Sequence, residues 1–276
     1  MLQFAIRGHD ITNVKNVEDL ALKTQLAGIQ NVQLALGISF PNMPTETANI
    51  NPGMGNYFRT KLAERDVNIA ILSCYINMIH PDLDVREQLL QKFEAYVKHA
   101  KYFGASMVAT ETGCVFPEIA YTTENFTEEA FQETVDVIKR LVEVGEKHGM
   151  LIGIEPGLNH PIHSLQKTER LIELVDSDFL GIILDPTNLI TAETYPNQVD
   201  IVKHAFRLFG ESICAVHMKD FVVENDRVKP TYLFQGEMQV KEIISVIAQQ
   251  KPNSFVVLEE TKDEWIGKAK DELNHM

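Results

Sequence analysis

Short apolar runs rich in valine and isoleucine alternate along this chain with longer stretches in which apolar positions recur every three or four residues. Runs of the first kind fit strands buried on both faces, and stretches of the second kind fit amphipathic helices, so the alternation predicts parallel β/α architecture. Eight runs stand out: Phe4 to Arg7, Asn31 to Leu36, Asn68 to Cys74, Met107 to Thr110, Leu151 to Glu155, Gly181 to Asp185, Ala215 to Lys219 and Phe255 to Glu259. Between the third and fourth, Val85, Leu89, Phe93, Tyr96, Val97 and Ala100 keep helical spacing, and Gly104 stands where a helix takes a left-handed cap. Between the fourth and fifth, Phe131, Val135, Ile138, Leu141, Val142 and Gly145 do the same, with Glu128 and Glu129 suited to a helix start and His148 and Gly149 to its end. Shorter helices are marked by Leu165, Thr168, Ile172 and Val175, and by Val240, Ile243, Ile244 and Ile247. From Asn51 to Gly55, Pro52 and two glycines predict a loop.

A closed (β/α)8 TIM barrel takes about 250 residues, close to the 276 of this chain, of which 45% are hydrophobic, enough for one large core. With no linker, low-complexity tract or charge block to divide it, the expectation is an α/β protein with a single TIM-barrel domain over residues 1–276. A doubly wound open sheet would show the same alternation, and periodicity alone does not separate the two.

The formal net charge of −14 opposes a polyphosphate backbone, which excludes nucleic acid as the expected partner. Cys74, Cys114 and Cys214 are odd in number and sit in or beside apolar runs, the pattern of reduced buried thiols. Arg7, His9 and Asp10 interrupt the first ten residues, and no apolar run reaches membrane-spanning length. A cytoplasmic protein without a membrane partner is expected.

The fifth to eighth runs end, one after another, in Glu155, Asp185, His217 and Glu259. A glutamate or aspartate at any one of these strand ends alone reads more readily as a helix cap or a solvated loop anion. In a barrel, however, the carboxyl ends of all strands converge on one mouth, where residues distant in sequence can share one cation. Three carboxylates and an imidazole favour a single divalent ion, Mn²⁺ or Mg²⁺ first, with Co²⁺ or Zn²⁺ as alternatives. Side chains alternate along a strand, so only one of Glu259 and Glu260 points into the mouth; Glu259, directly after the apolar run, is preferred. Lys219 shares the face of His217 and is expected to aim its ammonium at a substrate oxygen or phosphate. Glu111 and Asn77, at strand ends, are candidate substrate contacts. So are Arg7 and His9, which share one face of the first strand, with packing the role of at least one of them.

The segments Ile154-Glu155-Pro156, Leu184-Asp185-Pro186-Thr187-Asn188, Val216-His217-Met218-Lys219-Asp220 and Leu258-Glu259 resemble the metal-site strands of the xylose isomerase-like sugar (phosphate) isomerase and epimerase family. Ile6-Arg7-Gly8-His9-Asp10, Val32-Gln33-Leu34-Ala35, Cys74-Tyr75-Ile76-Asn77 and Thr110-Glu111-Thr112-Gly113 resemble its first four strand ends, so the likeness runs nearly the whole chain. The resemblance implies the barrel over the open sheet. It implies a metal-dependent isomerase or epimerase of a sugar, sugar phosphate or related polyol, in which Glu155 and Glu259 move a proton through a metal-stabilised enediolate, and a small carbohydrate as partner. It also implies a substrate contact at His160, a glycine turn at Gln235-Gly236-Glu237, and an assembly that often pairs. Two departures stand out. Asn188 occupies a position where some ketose epimerases carry a histidine, and no arginine follows the metal histidine where Val222 and Val223 stand. These leave a metal-dependent dehydratase as the alternative. An endonuclease-like hydrolase is opposed by the acidic charge, and a non-catalytic sugar-binding barrel by the paired glutamates.

Overall fold

The computed structural model describes residues 1–276. Its strands are β1 (Gln3–Arg7), β2 (Asn31–Ala35), β3 (Asn68–Ser73), β4 (Met107–Glu111), β5 (Leu151–Glu155), β6 (Leu180–Leu184), β7 (Ile213–Met218), β8 (Asp220–Glu224), β9 (Arg227–Thr231) and β10 (Phe255–Leu258). All but β8 and β9 pair in parallel and close into a barrel in the order β1-β10-β7-β6-β5-β4-β3-β2. Closure is made by β1 against β10, with Gln3 opposite Phe255 and Ile6 opposite Leu258.

Period-two alternation explains both the core and the mouth. Ala5, Ile71, Met107, Ala109, Ile183, Ala215 and Val257 are buried together in a cluster separate from the larger apolar layer that packs beneath the helices. Two residues further along each strand, the same inward face presents Arg7 after Ala5, Glu111 after Ala109, Asp185 after Ile183, His217 after Ala215 and Glu259 after Val257. One register thus fills the barrel with apolar side chains, small and large, and tops it with ionisable ones.

The helices are α1 (Val17–Leu26), α2 (Leu36–Ser39), α3 (Pro52–Ala63), α4 (Leu83–Phe103), α5 (Glu128–His148), α6 (Leu165–Val175), α7 (Gln198–Phe209), α8 (Val240–Gln250) and α9 (Glu264–Asn274). The two long ones start on side-chain caps, Asp82 accepting from the Asp84 and Val85 amides and Thr127 from the Ala130 amide, and end on Gly104 and Gly149 in left-handed conformation. The loop expected from Asn51 to Gly55 is instead the start of α3. Asn51 caps the Met54 amide at 3.1 Å, and Pro52 stands in the first turn, where its missing N–H removes no helical bond. Gly55 is there for closeness: a Cβ would stand 2.7 Å from the side chain of Tyr102 on α4. No helix is long and apolar enough to cross a membrane.

The β8–β9 hairpin, absent from the sequence-based expectations, projects from the strand that carries His217. Its turn, Asn225-Asp226, has φ of 51° and 57°, the conformation that matches the twist of a two-residue hairpin. The buried carboxylate of Asp220 fastens its base by accepting from the amides of Phe221 (2.7 Å), Gly236 (2.9 Å) and Met238 (2.8 Å). Gly236 has no room for a side chain, since a Cβ would lie 2.1 Å from the Phe221 carbonyl oxygen, which gives the Gln235-Gly236-Glu237 turn a role in backbone shape.

Candidate metal centre

Glu155 ends β5, Asp185 follows β6, His217 lies on β7 and Glu259 follows β10, all four buried. One ligating atom from each lies within 4.8 Å of those of the other three. Neighbouring groups hold each in place. Asp185 Oδ1 accepts from the Thr187 amide at 2.8 Å and the Asn188 amide at 3.3 Å, folding the Asp-Pro-Thr-Asn turn back on the strand end. Asn188 Nδ2 donates to Glu155 Oε1 at 2.8 Å. Glu260 is turned away from the cluster by a left-handed φ of 52° and accepts from Arg7 Nη2 at 2.8 Å.

His217 supplies the test for a cation. Gln33 Nε2 donates to Ser73 Oγ and to Tyr75 Oη, both at 3.0 Å, which leaves Gln33 Oε1 as an acceptor facing His217 Nε2 at 2.8 Å. The imidazole proton is thereby fixed on Nε2. Nδ1 is buried without a hydrogen bond and faces Glu155 Oε2 at 3.2 Å and Glu259 Oε1 at 3.1 Å. A lone pair and two carboxylate oxygens turned toward one point require positive charge there, and the donor set fits a hard or borderline divalent ion. Without such an ion the charge comes from protons. Burial opposes a charged His217, yet Glu155 and Glu259 outweigh it and push the imidazole up to about 9.

Lys219 departs from its expected role. Its Nζ donates to Asp185 Oδ2 and, at 2.8 Å, to Glu259 Oε2, so its ammonium lies among the carboxylates rather than free for substrate. Burial disfavours this charge, but Asp185, Glu259 and Glu155 hold it well above the usual lysine range. For Asp185, burial prevails over the attraction of Lys219 and pushes the carboxyl up to about 6. Burial acts the same way on Glu259, but His217, Lys219 and Arg7 hold that carboxyl well below the usual range.

The remaining expected contacts divide. Arg7 donates to both oxygens of Asp10, at 2.8 and 2.9 Å, and to Glu260, while Nη1 lies 3.4 Å from Glu259 Oε1; it is an internal counter-ion. His9 is not on the strand, which ends at Arg7, but in a single 3-10 turn, edge-on to Tyr75 with Nδ1 buried and unpaired. Asn77 is a loop staple: Nδ2 donates to the Phe116 carbonyl at 2.7 Å and Oδ1 accepts from the Cys114 amide at 2.9 Å. His160 Nδ1 meets the Gly113 carbonyl at 2.8 Å, so that Nε2 faces Glu111 Oε2 at 3.6 Å. His160, Glu111 and Asn188 line a cavity of about 720 Å³ that also reaches Tyr121 and the hairpin residues Asp226 and Arg227.

The orienting role of Gln33 was not assigned from the sequence. Its signal was an amide in the middle of a buried strand, which requires partners. The cavity roof went unseen with the hairpin that forms it.

Residues 26–276 match the family model described as xylose isomerase-like TIM barrel. Inosose dehydratase of Salmonella typhimurium (strain LT2) is 20% identical over 205 residues, a stretch that spans 65% of this chain and 65% of that protein. Among solved structures, a D-tagatose 3-epimerase-like protein superposes with a TM-score of 0.77 at 16% identity, covering 99% of this chain and 96% of the other. The IolI protein, solved with a bound zinc atom, gives 0.73 at 16% identity, covering 99% and 97%.

Proposed function

Because the chain belongs to the xylose isomerase-like TIM barrel family, we propose that it is a divalent-metal-dependent isomerase or epimerase of a sugar or related polyol, moving a proton at a carbon beside a carbonyl. The reading takes residues 1–276 as one domain. The observation that carries it is the approach of Glu155 on β5, two strands from β7, and Glu259 after the adjacent β10 to the unpaired Nδ1 of His217. Glu155, Asp185, His217 and Glu259 would hold the ion, which when bound supplies Lewis acidity at the substrate carbonyl.

A carbon acid beside a ketone is too weak for a free carboxylate at neutral pH, so the base must be positioned and water kept out. Glu155 and Glu259 are buried and oriented, one by the Asn188 amide and the other by Lys219 and Arg7. One removes the proton. Return by the other to the opposite face gives an epimer, and return to the neighbouring carbon gives the isomer. Lys219, held between Asp185 and Glu259, balances part of their charge and fixes the direction of the Glu259 carboxylate.

A dehydratase is the second reading, supported by the likeness to inosose dehydratase and by the His160–Glu111 pair. An imidazole that donates from Nδ1 to a carbonyl keeps Nε2 as an acceptor in the cavity, where it can take up the proton removed from carbon and pass it to the departing hydroxyl.

The test pairs metal analysis with solvent deuterium incorporation over a panel of ketoses, sugar phosphates and cyclitol ketones, using protein loaded with Mn²⁺ or Zn²⁺. The proposal expects one ion per chain, its loss in His217→Ala, and exchange into at least one substrate with isomer interconversion. A new enone absorbance without interconversion selects the dehydratase. A stoichiometric ion with neither outcome on any member overturns both.

A further inference from the structure

The cavity beside the carboxylate cluster is larger than one sugar ring requires. Pockets for drug-sized ligands run from about 300 to 1,000 Å³, and this one, at about 720 Å³, lies in the upper half of that range. A single hexose is smaller than such a ligand. Its inner wall includes Asn188, whose side-chain amide donates to Glu155, so the cavity adjoins the carboxylate cluster through that residue. Its outer wall is made by the β8–β9 turn, through Asp226 and Arg227, and by Tyr121 on the loop between β4 and α5.

The chemistry of this outer wall is that of a neutral polyol site. Tyr121 is 65% exposed, a broad aromatic face open to the apolar C–H face of a pyranose. Asn159, Glu111, Asp226 and Arg227 present planar amide, carboxylate and guanidinium groups suited to paired hydroxyls. An anionic substituent fits poorly. Arg227 is the single lysine or arginine on the lining, against the carboxylates of Glu111 and Asp226, and Lys219 is engaged with Asp185 and Glu259.

We infer that the substrate is a neutral glycoside whose reacting ring carries the carbonyl, as a keto-sugar or a reducing end, with that ring beside the carboxylate cluster and a second sugar ring seated under the hairpin between Tyr121 and Arg227. The inference rests on the sugar-processing reading and names its substrate class.

Isothermal titration calorimetry on the zinc-loaded full chain tests it, with neutral reducing disaccharides, their constituent monosaccharides and the corresponding sugar phosphates as probes. At least one disaccharide should bind about tenfold or more tightly than either of its monosaccharides, a difference of about 1.4 kcal/mol. The ratio should fall toward one in Tyr121→Ala and in Arg227→Ala, and persist in Tyr57→Ala, an exposed tyrosine on α3 outside the cavity. Equal affinity for one ring and two, tighter binding of a sugar phosphate than of any neutral glycoside, a ratio untouched by Tyr121→Ala, or no sugar binding at all would each overturn the inference. Deuterium exchange is read separately: two-ring preference without exchange leaves this inference standing and removes the proton-transfer reading, whereas exchange into free monosaccharides alone does the reverse.

Discussion

The two halves of the barrel contribute unequally to its mouth. Strands β5, β6, β7 and β10 deliver the four clustered groups, whereas β1 to β4 deliver Arg7, Gln33, Ser73 and Glu111, which surround the cluster without joining it. The first set is chosen for charge and donor atoms, the second for fixing directions: Gln33 sets the tautomer of His217, and Arg7 ties Glu259, Glu260 and Asp10 together. One half supplies the chemistry and the other supplies its geometry.

Substitutions on the two sides should therefore fail differently. The largest effect is expected from Glu259→Gln, which keeps shape but removes a base: proton exchange into substrate should fall by about 10²- to 10⁴-fold. Arg7→Met comes next, acting on stability. It leaves Glu259, Asp10 and Glu260 without their shared counter-ion, at a cost of about 3 kcal/mol in urea unfolding. Little loss there would mean that Arg7 is not the organiser of its half. Gln33→Leu should lower metal affinity about 10- to 100-fold, measured by chelator competition, with the fold retained. If it instead abolished metal as completely as His217→Ala, the division between ligand and support would collapse.

The smallest effect is a pH dependence. Burial, with Arg7 adding to it, lowers His9 to about 4 from its ordinary 6.5. Between those values the unfolded chain binds the proton more readily than the folded one, so this contribution is complete above about pH 6.5 and is lost as pH falls toward 4. His9→Gln should flatten the melting temperature over that window, and an unchanged slope would assign the acid sensitivity to other groups, such as the Glu259 and Glu260 carboxyls, which neighbouring cations hold below the usual carboxylate range.

The same division governs what could be read from the sequence. Glu155, Asp185, His217 and Glu259 were visible because each ends an apolar run with a residue that such a run does not otherwise need. Gln33 was inside its run, and a buried amide declares that it has partners without declaring which ones. Asn51 to Gly55 misled because proline and glycine carry opposite meanings by position: Pro52 begins a helix and Gly55 allows α4 to approach. Lys219 was placed on the correct face, but periodicity gives a direction and no distance, and only the structure shows its ammonium among the carboxylates. The β8–β9 hairpin was hidden because its outer strand, Arg227–Thr231, has three exposed residues out of five and no apolar alternation to announce it.

A barrel that closes upon itself presents no unpaired strand edge to another molecule, and the hairpin reintroduces edges on the outside. Its outer strand answers that exposure locally. Pro230 has no N–H to offer a docking strand, and Arg227 and Lys229 place like charges along the same five residues. The chain can thus carry a solvent-facing ribbon over its mouth without inviting edge-to-edge aggregation, and replacing those three residues with β-branched apolar ones would turn the same ribbon into a template for fibrils.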